Sequence, residues 1–315
     1  MNNIKYWSVD PELKKEAEDN YRTKFALSLK DREAWDIAQE LTFDGKAPGA
    51  TLKIIEDLFS FVEKNFLKKK LKGVGLELGS GPGVFSAILA RRKGVEKVYG
   101  LELCANIIEV LMPPVVKGLS GGNDDKVVGC VGDFNKIELP ENSVDFIFEF
   151  FSLHHSDRLG KTLEGCARIL KPGGVLFAFD KARPDDLTDG DLEEMRNKEY
   201  GDEYKMQFGI PVEKVLRRYH NGEYEYRLRE WRAAFLDNGF SKFKHYNLAK
   251  CNSPYLITRL VSRVARFFPP KIQPYFTAFI PKKKRRIFGI SGKSRIYTPL
   301  VDTLPKEISL MIAYK

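Results

Sequence analysis

The stretch Val74-Gly75-Leu76-Glu77-Leu78-Gly79-Ser80-Gly81-Pro82-Gly83-Val84-Phe85-Ser86 constrains this chain more than any other. An apolar run of strand character ends in an acid. A turn with three alternating glycines follows, then apolar residues at helical spacing. Glycine permits positive φ and lets the backbone approach a ligand that any Cβ would hold off, while a helix start offers unpaired N–H groups. Strand, glycine turn and helix in that order make a nucleotide-type cradle.

Beyond the cradle, apolar runs alternate with helical patterns, as parallel βαβ units require. Strands are expected at 74–78, 98–103, 126–131, 144–148, 175–180, 243–248 and 308–314. The fold class is α/β: a doubly wound, Rossmann-like sheet of seven strands, the last antiparallel. Residues 1–70 read as an N-terminal helical cap, with Asp10-Pro11-Glu12 as one helix start and Thr51 capping another. Residues 71–250 with 307–315 form the core, in which the polar, turn-rich 183–222 segment is long enough to be a lid. Residues 251–306 are a basic insertion before the last strand, facing the acceptor or a membrane. Sheets of this kind bind ligands at the carboxyl ends of their strands, where strand order reverses.

The cradle does not keep the dinucleotide register G-x-G-x-x-G/A, because Val84 stands where the last small residue belongs. Its spacing is acid-x-Gly-x-Gly-x-Gly. With Glu77 included, it resembles the first motif of class I S-adenosylmethionine (SAM) dependent methyltransferases. The resemblance continues in order through Glu102, Gly132-Asp133-Phe134, Leu139 to Asp145, Leu153-His154-His155 and Leu170-Lys171-Pro172-Gly173-Gly174. It is strongest for the small-molecule and lipid methyltransferases with this LHH and LKPGG pair. It covers about 73–180 well, 228–248 and the last strand loosely, and neither end of the chain.

The resemblance implies SAM as methyl donor and S-adenosylhomocysteine as product. SAM has free ribose hydroxyls and no phosphate, so its site needs backbone groups and carboxylates. Gly79, Ser80, Gly81 and Gly83 would form the loop, Glu102 would accept from the ribose hydroxyls, and Leu103 would pack on the adenine. By resemblance Asp133 would meet the adenine amino group, with Phe134 against the ring. Glu77 would face the methionine ammonium, and Phe150 would lie near the methyl donor. Asp145 reads as a structural acid at the start of a strand.

Methyl transfer asks chiefly for alignment away from water, and a base matters only if the acceptor must lose a proton. His154 is the candidate, with Glu149, Asp180 and His220 as other titratable groups. No metal site is expected: Cys104, Cys130, Cys166 and Cys251 lie far apart, without a CxxC pair or a His/Cys cluster of ligand spacing. Glu149-Phe150-Phe151-Ser152 lacks the Asp or Asn, two prolines and aromatic that amino methyltransferases of nucleic-acid bases carry there. A small-molecule or lipid-linked acceptor is therefore expected, with an RNA-modifying enzyme as the alternative and a non-catalytic SAM-fold binding protein as a third reading.

The net charge of +9 is concentrated: residues 250–300 hold twelve Lys and Arg and no acid. Within them an amphipathic pattern over 256–268 precedes Lys282-Lys283-Lys284-Arg285-Arg286. Such a segment suits an anionic membrane surface or, on the RNA reading, a phosphate track. The chain starts without a signal-peptide core, and no apolar run approaches the roughly 18 residues of a membrane span. A cytoplasmic protein is expected, peripheral to a membrane at most.

Overall fold

The computed structural model describes residues 4–43, 52–248, 295–296 and 308–315. In chain order the elements are β1 (Ile4–Tyr6), α1 (Pro11–Asp19), α2 (Tyr21–Ser28), α3 (Ala34–Phe43), α4 (Leu52–Val62), β2 (Gly73–Leu78), α5 (Val84–Ala90), β3 (Val95–Glu102), α6 (Met112–Leu119), β4 (Val127–Val131), β5 (Val144–Phe150), α7 (Leu159–Ile169) and β6 (Leu170–Asp180). There follow α8 (Asp189–Asn197), α9 (Asp202–Gln207), α10 (Leu228–Asp237), β7 (Lys242–Leu248), β8 (Arg295–Ile296) and β9 (Ile308–Tyr314).

The sheet runs β1-β4-β3-β2-β5-β6-β9-β7-β8. Strands β2 to β6 pair in parallel, and β9 lies antiparallel between β6 and β7. The seven expected strands are all present and the last is antiparallel. Two short edge strands bring the count among the described residues to nine. One of them, β1, adds an unexpected strand to the N-terminal helical cap: Ile4–Tyr6 pairs in parallel with β4, and Trp7 extends the ladder by donating to the Val131 carbonyl. Because β7 and β9 are neighbours, the basic segment connects adjacent strands. Apart from Arg295–Ile296 it lies outside the described residues, as does the Thr51 cap.

Period-two alternation sends side chains to both faces of the sheet. On one face Phe146, Phe148, Phe177 and Phe179 meet Phe59 of α4 and Phe85 of α5, with Phe148 5.1 Å from each of Phe59 and Phe85 between ring centroids. On the other, Leu76, Leu78, Ile147 and Leu176 pack with α7 and with Trp231 and Phe235 of α10. Asp10 accepts from the Glu12 and Leu13 amides and starts α1 as expected. Helix α2 then lies across the turn after β3 through Ala26, Cys104, Ile107 and Leu111. Its Phe25 meets Phe208 just after α9 at 4.9 Å, so the N-terminal helices and the 183–222 segment touch.

Candidate functional site

The order β4-β3-β2-β5-β6 reverses between β2 and β5, so the loops after these strands collect along one edge. With the strand ends they carry every residue but Glu77 expected to meet the cofactor: 79–83 after β2, Glu102 and Leu103 at the end of β3, Asp133 and Phe134 after β4, and Phe150 at the end of β5. Glu77, one residue inside the end of β2, lies directly beneath this edge.

All three loop glycines adopt positive φ: Gly79 at 62°, Gly81 at 49° and Gly83 at 81°. Each has a different neighbour. A Cβ on Gly79 would lie 2.3 Å from the Ser152 Cβ, and one on Gly83 would lie 3.0 Å from the Met112 side chain, whereas one on Gly81 would meet nothing within 4 Å. Two glycines therefore seat the loop against the protein, and the third borders open space. Ser80 is buried, and its amide continues the β2–β3 ladder by donating to the Leu101 carbonyl at 2.8 Å.

Glu102 ties this loop to the end of β3. One carboxylate oxygen accepts from the Gly81 amide at 3.0 Å, and the other accepts from the amides of Leu103 at 2.9 Å and Cys104 at 3.1 Å. Burial raises its carboxyl, and these three N–H groups oppose the rise. A carboxylate offers about four lone-pair positions, so one is left for a hydroxyl. Leu103 is half-buried beside it. Asp133 accepts from the Asn135 amide at 2.8 Å and so caps the short turn that begins with half-buried Phe134; its second oxygen can still serve a ligand. An open glycine corner, an acid with one lone pair to spare and an apolar neighbour fit an adenosine group.

Glu77 is 2% exposed and accepts from the Ser86 hydroxyl. Burial pushes its carboxyl up to about 8, against the Ser86 hydrogen bonds. The folded chain thus keeps a proton that the unfolded chain releases near pH 4.3. This group's stabilising contribution is full below that value, falls as the pH rises, and levels off above about 8. Glu77→Gln is expected to lose less melting temperature than the parent between pH 5 and pH 8. Equal losses in thermal unfolding of the two proteins would refute this.

The stretch after β5 is strained. Phe151 holds φ at 53°, a conformation that costs a non-glycine residue about 1–3 kcal/mol. Two contacts fix it: the Phe151 amide donates to the Phe179 carbonyl at 2.8 Å, and the Ser152 hydroxyl donates to the Leu78 carbonyl at 2.7 Å. Phe150 is half-buried and lies 4.6 Å from Phe85 between ring centroids.

The strain aims His154 inward, where it is 5% exposed. Asp180, fully buried at the end of β6, accepts from the His154 amide at 2.9 Å and meets its Nδ1 at 2.7 Å. Burial pushes Asp180 up, yet the charge and hydrogen bond of His154 and the Lys181 contacts outweigh it and hold the carboxyl low. Asp180 is therefore an anion facing Nδ1; whenever the ring is neutral with its proton on Nδ1, Nε2 is the acceptor nitrogen. The other base candidates are placed differently. Glu149 is fully buried and held well above the usual carboxylate range by burial and by Asp180; its Oε1 accepts from the Ser152 and Leu153 amides, and its Oε2 is buried without a partner. His220 is exposed and accepts from the Arg217 amide. His155 is pushed down to about 3, by burial first and then by the charge of His154, so it is neutral. Asp145 is structural, as expected, accepting from the Val74 amide and from Lys171 at 2.8 Å each.

Three features were not singled out from the sequence. Glu223 accepts from Lys181 at 2.6 Å and from the Tyr200 hydroxyl, and Tyr224 donates its amide to the His154 carbonyl at 2.9 Å. The 183–222 segment thus ends in direct contact with the histidine turn. Although burial raises the Glu223 carboxyl, Lys181 and Tyr200 hold it well below the usual range. The third feature is the Asp180 contact itself, for which an acid closing β6 was the available signal.

Residues 76–178 match the methyltransferase domain family. Among curated relatives, the malonyl-[acyl-carrier protein] O-methyltransferase of Methylococcus capsulatus is 30% identical over 101 residues, 32% of this chain and 34% of that protein. The ubiquinone/menaquinone biosynthesis C-methyltransferase UbiE of Caulobacter vibrioides is 24% identical over 111 residues, 35% of this chain and 44% of that protein. The chain thus spans less than half the length of these relatives. Among solved structures, the phosphoethanolamine N-methyltransferase 2 of Haemonchus contortus superposes with a TM-score of 0.52 at 16% identity, over 98% of this chain and 61% of that one; at that identity the likeness is one of fold. Among the described residues no helix is long and apolar enough to cross a membrane, and no group of His, Cys, Asp or Glu could hold a metal ion.

Proposed function

We infer that this protein, whose residues 76–178 match the methyltransferase domain family, transfers a methyl group from SAM to a small-molecule or lipid-linked acceptor by in-line displacement. The observation that carries this reading is the loop itself: three glycines at positive φ, one of them facing open space, tied through its Gly81 amide to Glu102. Gly79, Ser80, Gly81 and Gly83 would border the cofactor, Glu102 would accept from its ribose, and Leu103, Asp133 and Phe134 would surround its adenine. Glu77 and Phe150 would lie on the side of its amino acid tail and sulfonium.

When bound, SAM supplies a methyl group already activated on a sulfonium, which leaves as S-adenosylhomocysteine. The chain's own part is to align the acceptor and exclude water. Where the acceptor must lose a proton, Nε2 of His154 takes it as the carbon bond forms, and the anionic Asp180 stabilises the resulting imidazolium. The strained Phe151 turn and the contacts with Tyr224 hold the ring in place. A buried His154 under the 183–222 segment supports an acceptor small enough, or with a reactive end slender enough, to pass beneath it. The relatives named for malonyl-acyl-carrier and quinone methylation support the same breadth.

Incubating the protein with methyl-labelled SAM and fractionated cell extract tests the acceptor class. Label is expected in the small-molecule or lipid pool. Label confined to RNA or protein would overturn the acceptor half of the reading.

A further inference from the structure

A second concavity lies outside the site just described, between α2 and the 206–214 turn, and no role has been given to it. It has a volume of about 610 Å³ and is bordered by Tyr21, Lys24, Phe25 and Ser28 on one side and by residues 206–211 and Lys214 on the other. That volume lies within the usual range of small-molecule sites, about 300–1,000 Å³. Its floor is apolar, formed by the edge-to-face rings of Phe25 and Phe208 with Ile210. Its charge is one-sided: Lys24 and Lys214 border it, no acid does, and among the described residues neither lysine is ion-paired.

The walls are built rather than incidental. Lys205, 3% exposed, donates to Glu199 at 2.6 Å and to the Val212 carbonyl at 2.8 Å, pinning the turn from behind. Gly209, with φ at 66°, makes the bend that the Ile210 amide closes by donating to the Lys205 carbonyl at 2.9 Å. On the opposite side α2 is anchored through Ala26 on the turn after β3. Met206 on its border is 63% exposed, and Val212 and Val215, on either side of Lys214 in sequence, are 45% and 53% exposed. Among the described residues, apolar side chains are thus exposed beside two cations, a combination that suits an amphiphile.

We propose that this cleft binds one monomeric amphiphile with an anionic head, its aliphatic chain against Phe25, Phe208 and Ile210 and its head between Lys24 and Lys214. The apolar floor selects the chain and the unopposed lysines select the charge; neither a neutral alcohol nor a bare anion satisfies both. The Tyr21 hydroxyl meets that of Tyr204 at 3.1 Å, and Tyr204 stacks on Tyr200 at 4.1 Å. The binding does not depend on the methyl-transfer reading, because it involves neither the glycine loop nor His154.

Calorimetric titration of the full chain with dodecyl phosphate, kept below micelle formation, tests the proposal. Saturable one-to-one binding is expected, weakened at least about 10-fold by Ser28→Trp, which fills the cleft, and by the double variant Lys24→Glu/Lys214→Glu. Dodecanol and inorganic phosphate are each expected to bind at least about 10-fold more weakly than dodecyl phosphate. Circular dichroism melts check that the variants fold; should Ser28→Trp not fold, the double variant changes only exposed lysines and carries the test. The proposal is overturned by absence of binding, by binding that survives in the folded variants, by inorganic phosphate binding as well as the amphiphile, or by binding only to phosphatidylglycerol vesicles.

Discussion

Gly81→Val is expected to fold much as the parent does and to lose S-adenosylhomocysteine affinity by about 100-fold or more, about 2.7 kcal/mol. At φ 49° a residue with a Cβ meets a left-handed strain of about 1–2 kcal/mol. For a chain of this size that lowers the melting temperature by only a few degrees, since 1 kcal/mol corresponds to roughly 2–4 °C in domains of 150–250 residues. No protein atom lies within 4 Å of the added Cβ, so the strain is nearly the whole structural cost. The ligand meets the new side chain instead.

Gly79→Val should behave in the opposite sense. Its φ of 62° carries similar strain, and the Cβ would also stand 2.3 Å from the Ser152 Cβ. Overpacking of this kind adds about 1–3 kcal/mol and displaces the Ser152 hydroxyl from the Leu78 carbonyl. Gly79→Val is therefore the variant that melts early, and Gly81→Val the one that melts late and fails to bind. Thermal unfolding and calorimetry on the pair separate seating from binding. Equal melting losses in the two would remove the distinction between them.

The second large effect belongs to the His154–Asp180 pair. Asp180→Asn is nearly isosteric, but its amide cannot accept at both oxygens from the His154 amide, the His154 ring and the Lys181 amide, as the carboxylate does. The ring loses both its orientation and the anion that stabilises its protonated form. For an acceptor that gives up a proton, kcat is expected to fall about 10²–10⁴-fold, the usual contribution of a general base, and His154→Gln should fall as far. Neither variant should change S-adenosylhomocysteine affinity appreciably, because neither side chain borders the glycine loop or Glu102. A parallel loss of binding and turnover would make the pair structural. An unchanged kcat in His154→Gln would show that the acceptor needs no base.

The parts legible in the sequence were those written in local pattern. Three alternating glycines between a strand run and a helix run announced a loop at positive φ, and all three adopt it. Alternating apolar runs announced the parallel sheet, and β9 found its antiparallel place beside β6. What stayed hidden depended on pairing across the chain. Ile4–Tyr6 has too few residues to declare a strand and becomes one only through the edge of β4. His154 and Asp180 are 26 positions apart and meet because β5 and β6 run side by side. The sequence offered four titratable groups for one role. Burial separated them, holding the Glu149 carboxyl well above the usual range while the histidine holds that of Asp180 low. Lys181, Tyr200 and Glu223 likewise lie in different connections, brought together by the return of the chain after α9.

The cradle from Val74 to Ser86 remains the centre of the account, and its ligand is the claim on which the rest stands. Calorimetric titration of S-adenosylhomocysteine into the unmodified chain tests it most directly, with Glu102→Ala titrated alongside. The account predicts one-to-one binding by the parent and binding at least about 10-fold weaker in the variant. No binding by the folded parent, or equal affinity in the two proteins, would contradict it.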